Sequence, residues 1–136
     1  MECLFCNIIK GDIPSYKVYE DETAYAFLDI NPCSKGHTVV VPKTHYENFT
    51  EMPAEEAAGL FATVRMIARL VEDAVSADGS NIGLNNKPAA GQAVPHVHVH
   101  IIPRFEGDGG GSMHSIVSIP GAGDDLEEMA ELLVME

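Results

Sequence analysis

Three histidines, His96, His98 and His100, alternate with Val97, Val99 and Ile101 in the run 96–102. In an extended chain successive side chains point to opposite faces, so the three imidazoles share one face and the aliphatic residues the other. Neighbouring imidazoles then stand roughly 7 Å apart, close enough for all three to address one small ligand or metal. In a helix the same residues would spread over about 400° of rotation and share no target. The β-branched residues between them favour the strand. Three readings follow: structural histidines of a half-buried sheet, a three-histidine site for zinc or iron, or an imidazole nucleophile acting on phosphorus with its neighbours handling protons and anion contacts. Spacing does not separate the last two.

Cys3-Leu4-Phe5-Cys6 supplies a second cluster of chemistry-bearing residues. A Cys-x-x-Cys turn at a helix start suits a metal or thiolate chemistry, and a structural zinc would need two further ligands from another element. A thioredoxin-like role lacks its βαβ context. Cys33 has no sequence partner, and His114 sits in a glycine-rich, solvated stretch. Taken singly, Phe5, Ile8 and Phe27 read as core residues, Asp29 before Asn31-Pro32 as a turn former, and Gly91 as a turn glycine.

The elements that position these residues read as α+β. A short helix leads from the cysteine pair and stops at Gly11 and Pro14. Strands are predicted at 17–20, 23–29 and 37–42, joined tightly enough for an antiparallel meander. One long helix is predicted over 51–77, with Pro53 in its first turn and acids at 51, 55 and 56 near the positive dipole end. Its buried stripe is Ala57, Leu60, Phe61, Val64, Ile67, Ala68, Val71 and Val75, and Gly79 is its expected stop. A short strand over 82–85, a loop over 86–93 and the histidine strand follow. The glycine-rich stretch 107–112 reads as a mobile connection, and 124–134 as a short terminal helix behind an Asp cap.

With 136 residues, 46% hydrophobic and 21% charged, the chain reads as one globular domain over 1–136, with 107–136 as a glycine-rich segment and acidic extension. No apolar run approaches bilayer length, and Met1-Glu2-Cys3-Leu4 lacks the start of a secretory signal, so the expected location is cytoplasmic. Eight Lys and Arg against 21 Asp and Glu give a net charge of −13, which disfavours nucleic acid and anionic membranes as partners. Such acidity suits concentrated salt, so a halophilic source is one expectation beside ordinary acidic drift. An anionic substrate would need a local exception built from histidines, backbone N–H groups and a few basic residues.

His96-Val97-His98-Val99-His100-Ile101-Ile102 resembles the signature of the histidine-triad (HIT) nucleotide-binding family. The likeness extends to Phe5, Ile8-Ile9 and Ile13-Pro14, to Phe27-Leu28-Asp29-Ile30, to the run from His37 through Pro42-Lys43 to His45, and to Asn85 and Gly91-Gln92. About three-quarters of the chain is covered in the right order, and the length is similar to the Hint-like branch in its bacterial and archaeal form. The implied fold is HIT-like: a mainly antiparallel sheet, one long helix and a short C-terminal helix.

The resemblance implies an enzyme that acts at the α-phosphate of nucleoside phosphoramidates or related adenylylated compounds through a nucleotidyl-histidine. Dinucleoside polyphosphate hydrolysis and a non-catalytic nucleotide-binding or adaptor role are the alternatives. By resemblance the catalytic set is His98 as nucleophile, with His100 at the phosphoryl oxygens and His37 hydrogen-bonded within the triad. Asn85, Gly91, Gln92 and Ala93 would cradle the phosphate, Asp29 the ribose, and Phe5, Ile8, Phe27 and Ile30 a purine base. A structural zinc would be held by Cys3, Cys6, His45 and His96, with no cofactor needed for the chemistry, and the chain would form a homodimer. Ala93 departs from the Ser or Thr frequent in eukaryotic relatives, which leaves the preferred leaving group open.

Overall fold

The computed structural model describes residues 3–135; Met1, Glu2 and Glu136, including the start read above for a missing leader, lie outside the described residues. The elements are α1 (Leu4–Lys10), β1 (Lys17–Glu20), β2 (Ala24–Leu28), β3 (Thr38–Pro42), α2 (Ala54–Val75), β4 (Gly79–Gly83), β5 (Val99–Arg104) and α3 (Leu126–Leu132). The strands form one sheet in the order β1-β2-β3-β5-β4, every pairing antiparallel. The expected α+β class and meander are present, with β5 inserted between β3 and the late strand β4.

The period-2 alternation of the central strands divides the interior into two layers. Ala26, Val40, Val97, Val99 and Ile101 face α2 and pack on Leu60, Val64, Ile67, Ala68 and Val71. Each of the large α2 side chains contributes roughly 1.5–3 kcal/mol through burial. Tyr25, Phe27, Val39 and Val41 face the other way and meet Phe5 and Ile8 of α1. That second face carries the histidines, so α2 is the structural backing and α1 the wall of the site.

Several boundaries differ from the sequence reading for local reasons. β5 begins at Val99, because the N–H of Val97 bonds the carbonyl of Tyr46 at 2.9 Å before the sheet ladder starts. The in-out alternation nevertheless runs through 96–102. Helix α2 ends at Ser76, which itself adopts the left-handed conformation (φ 56°), while Gly79 opens β4. Pro53 is the residue before the helix, and its carbonyl accepts from the N–H of Ala57 at 3.0 Å. β4 lies at Gly79–Gly83 because its register opposite Arg104 to His100 leaves Leu84 and Asn85 beyond the ladder.

The stretch after β5 is tied rather than free. Arg104 grips Asp108 with both Nε and Nη2 (2.8 and 2.7 Å) and reaches Asn81 Oδ1 at 2.7 Å. Beyond it, α3 is capped by the Asp125 carboxylate, which accepts from the N–H of Glu128 at 3.0 Å. The apolar residues of this extension, among them Ile116, Leu126 and Leu132, are exposed. Among the described residues no helix is long and apolar enough to cross a membrane.

Candidate functional site

A cavity of about 470 Å³ opens on the α1 side of the sheet. It is lined by Phe5, Ile8, Phe27, Asp29, Ile30, Asn85, Gly91, Ala93, His98 and His100, which come from five separate segments. Two of the expected residues do not line it. His37 is buried behind His100, and Gln92 turns back into its own loop. Ile13, Pro14, Ser15, Val39 and Val94 also line the cavity. Val39 was findable from the alternation of β3, and Ile13-Pro14 from its place in the opening motif; Ser15 and Val94 carry no signal of their own.

Hydrogen bonds fix which imidazole nitrogens hold protons. The backbone N–H of Cys33 donates to Nδ1 of His37 at 3.0 Å, so the ring proton of neutral His37 sits on Nε2. That nitrogen lies 2.9 Å from Nδ1 of His100, which must accept, leaving N–H on Nε2 of His100. Nδ1 of His98 lies 2.7 Å from the carbonyl of His96 and must donate to it. Neutral His98 therefore keeps a lone pair on Nε2. A lone pair and a nearby N–H donor, 5.1 Å apart as ring centroids, suit attack on an electrophile and contact with its oxygens.

Burial favours the neutral rings this pattern requires. It pushes His100 down to about 4, helped by the neighbouring His98 and His37 and opposed by Asp29. His37 and His98 are also shifted below the usual imidazole value, chiefly by desolvation, with Asp29 again opposing. Asp29 Oδ2 stands 3.5 Å from His37 Nε2, while its Oδ1 accepts from the N–H of Asn31 at 2.8 Å. The carboxylate is thus held at the cavity rim by a local turn.

The first histidine of the run turns to a different partner set. Cys3, Cys6, His45 and His96 place one donor atom each within 4.8 Å of one another. Cys3 Sγ and Cys6 Sγ lie 3.4 and 3.6 Å from His96 Nδ1, and Cys6 Sγ lies 3.4 Å from His45 Nδ1. The two Nδ1 atoms are 3.1 Å apart. Tetrahedral coordination by sulfur and nitrogen calls for edges of roughly 3.3–3.8 Å. His96 Nε2 lies 2.9 Å from the carbonyl of Pro42, which fixes the ring proton there and turns the Nδ1 lone pair toward the thiols. The donor set therefore fits a tetrahedral metal. Burial, with Cys3 beside it and Lys10 opposing, pushes the Cys6 thiol up to about 11, so metal uptake has to release protons.

Asp29, His37 and His100 also converge within 4.8 Å, but their tautomers oppose a metal. Ligation through His37 Nε2 would move its proton to Nδ1, against the N–H of Cys33. In that trio His37 Nε2 donates to His100 Nδ1, with the Asp29 carboxylate 3.5 Å from the same nitrogen.

The loop before the histidine strand is braced from within. Gln92 accepts from the N–H of Lys87 at 2.7 Å and donates to the carbonyls of Glu47 and Val94. This holds Lys87 at φ 76°, a conformation strained for a residue with a side chain. Gly91, at φ 99°, closes the turn and lies against Asn85. Gln92 thereby supports Asn85, Gly91 and Ala93 without lining the cavity.

Known proteins match this arrangement. The HIT domain pattern matches residues 10–107. A HIT-like protein of Methanocaldococcus jannaschii is 55% identical over 107 residues, covering 79% of this chain and 82% of the relative. An adenosine 5′-monophosphoramidase of Schizosaccharomyces pombe is 42% identical over 104 residues, covering 76% and 75%. A crystal structure from Streptococcus mutans superposes with TM-score 0.86 at 49% identity, covering 96% of this chain and 82% of that one. A zinc-bound histidine triad family protein from Mycobacterium smegmatis superposes with TM-score 0.77 at 45% identity, covering 80% and 79%. With its three histidines on one sheet face, each assigned a partner, the chain belongs to the HIT domain family.

Proposed function

We propose that the protein hydrolyses nucleoside 5′-phosphoramidates or related adenylylated compounds at the α-phosphorus. The observation that carries this reading is the tautomer of His98: Nδ1–H held by the His96 carbonyl, Nε2 free at the cavity. The Schizosaccharomyces pombe relative, a 5′-monophosphoramidase by name, supports the substrate class.

Nε2 of His98 attacks the α-phosphorus. The P–Nε2 bond forms as the P–N bond to the leaving amine breaks, and the amine takes its proton from solvent. Water then attacks the same phosphorus; the new P–O bond replaces P–Nε2, a proton returns to solvent, and the nucleoside monophosphate leaves. The N–H on His100 Nε2 stabilises charge developing on the phosphoryl oxygens, and His37 fixes that tautomer. Asn85 and the Gly91–Ala93 backbone complete the cradle, Asp29 accepts from the ribose hydroxyls, and Phe5, Ile8, Phe27 and Ile30 enclose a purine.

Cys3, Cys6, His45 and His96 would hold a structural zinc, a reading the zinc-bound Mycobacterium smegmatis neighbour supports. Bound there, the ion supplies a fixed crosslink between α1, the segment after β3 and the start of the histidine run. A homodimer is the assembly we favour, because Ala62, Met66 and Leu70 form an exposed apolar stripe on α2, away from its buried face. Sedimentation of Met66→Glu/Leu70→Glu as a monomer, against a wild-type dimer, supports it; identical sedimentation removes it.

Alkaline denaturing quench of a reaction with adenosine 5′-phosphoramidate, which preserves a P–N bond to histidine, tests the chemistry. Mass spectrometry is expected to find an adenylyl adduct on the peptide containing His98, absent in His98→Ala along with turnover. Turnover unchanged in His98→Ala sinks the reading.

A further inference from the structure

The cavity crosses the sheet. His98 and His100 belong to the β5 side, Val39 to β3, Phe27 to β2, and Ser15 lies two residues before β1. Three strand spacings separate its ends, roughly 14 Å, the scale of an extended nucleoside monophosphate. With phosphorus at His98 and ribose at Asp29, the end near Ser15 receives the outer edge of the base.

That end is walled by Ile8, Ile13, Pro14 and Phe27, and Ser15 is the one hydroxyl among its lining side chains. Ser15 Oγ lies 2.7 Å from the phenol oxygen of Tyr25. Tyr25 is 7% exposed and packs against Phe27, with ring centroids 5.9 Å apart. Two hydroxyls joined by one hydrogen bond retain one spare proton. A spare proton on Tyr25 would be stranded in the core, whereas on Ser15 it can reach the cavity. Tyr25 accordingly donates to Ser15, and Ser15 is left with an O–H aimed at whatever fills the base end.

We infer that Ser15, oriented by Tyr25, reads the base by donating to a ring-nitrogen acceptor on its outer edge, favouring adenine, whose N1 accepts, over guanine, whose N1 carries hydrogen. This rests on the nucleotide reading proposed above. Ser15 is the specificity-determining residue and Tyr25 its positioning residue. Apolar walls alone accept any flat base of the right size; a half-buried hydroxyl at the base edge favours the base that presents a ring-nitrogen acceptor to it.

Calorimetric binding of AMP, GMP and ribose 5-phosphate to the full chain and to Ser15→Ala and Tyr25→Phe tests it. Wild type is expected to bind AMP more tightly than GMP. Ser15→Ala should lower that ratio about fivefold, the value of one hydrogen bond, and leave ribose 5-phosphate affinity unchanged, which also shows that the variant is folded. Tyr25→Phe keeps the ring packing and should lower the same ratio by a smaller factor. An unchanged AMP-to-GMP ratio in Ser15→Ala overturns the inference and leaves the nucleotide reading standing. A wild type that binds none of the three ligands overturns both.

Discussion

The carbonyl of His96 accepts the Nδ1 proton of His98 at 2.7 Å, while the ring of His96 belongs to the four-residue cysteine and histidine cluster. One residue thus touches both chemistries of the molecule, through its side chain in one case and its main chain in the other. Releasing the ring frees the peptide that sets the tautomer of His98, the proposed nucleophile. Cys6→Ser is expected to drop bound zinc below half an equivalent and to cost about 4 kcal/mol where free metal exceeds its Kd a thousandfold. Alongside, the protected Nδ1–H resonance of His98 should broaden in imidazole NMR. A sharp, unshifted resonance in the metal-free variant breaks the link.

Gln92 offers a separate test, because it braces the loop without lining the cavity. Gln92→Ala removes three hydrogen bonds to backbone and is expected to cost about 1–3 kcal/mol of stability. Activity should fall through kcat as the Asn85–Ala93 cradle loosens, with little change in adenosine binding. A variant with wild-type kcat shows that Lys87 holds its strained conformation unaided.

For His100 the sign of the pH dependence follows from its shift. Its folded-state pKa, about 4, lies below the unfolded value near 6.5. The unfolded chain therefore binds more protons between those limits, and the stability this histidine contributes is full above about 6.5 and lost as pH falls toward 4. Urea unfolding from pH 7.5 to 4.5 should show a shallower loss in His100→Gln than in wild type. Parallel curves count against a buried neutral His100.

Phe5 stands between the two clusters, with its ring 4.9 Å from that of His98, 6.0 Å from His96 and 5.5 Å from Phe27 as centroids. Phe5→Ala should cost about 3–5 kcal/mol by opening a cavity and weaken AMP binding. Phe5→Leu should recover most of the stability and less of the affinity. Equal recovery of both by leucine argues that the edge-on aromatic contact with His98 contributes nothing to binding.

The histidine face was legible because it depends only on local periodicity: Val97, Val99 and Ile101 pack on α2 as the alternation requires. The same periodicity made the three imidazoles look equivalent. Their division rests on partners distant in sequence or in the main chain: the Pro42 carbonyl accepts from His96, the His96 carbonyl accepts from His98, and the His37 ring donates to His100. No spacing rule encodes those. Loop residues were hardest for the same reason. Gln92 carries the right group for a phosphate cradle, yet the strained Lys87 backbone claims its side chain first. The end of α2 at Ser76 shows a residue adopting the conformation that glycine was expected to supply.

Helix α1 is seven residues long and holds Cys6, Phe5 and Ile8, with Cys3 as its cap. Two positions thus belong to the cysteine and histidine cluster and two wall the cavity. A change of shape at Phe5 or Ile8 is transmitted within one helical turn to a ligand, so mutations that retune the pocket from this side carry a cost in folding. The Ile13–Ser15 side has no such tie. Divergence of base preference among relatives with this cysteine and histidine cluster should accumulate at Ile13 and Ser15, and libraries built to alter the substrate should start there.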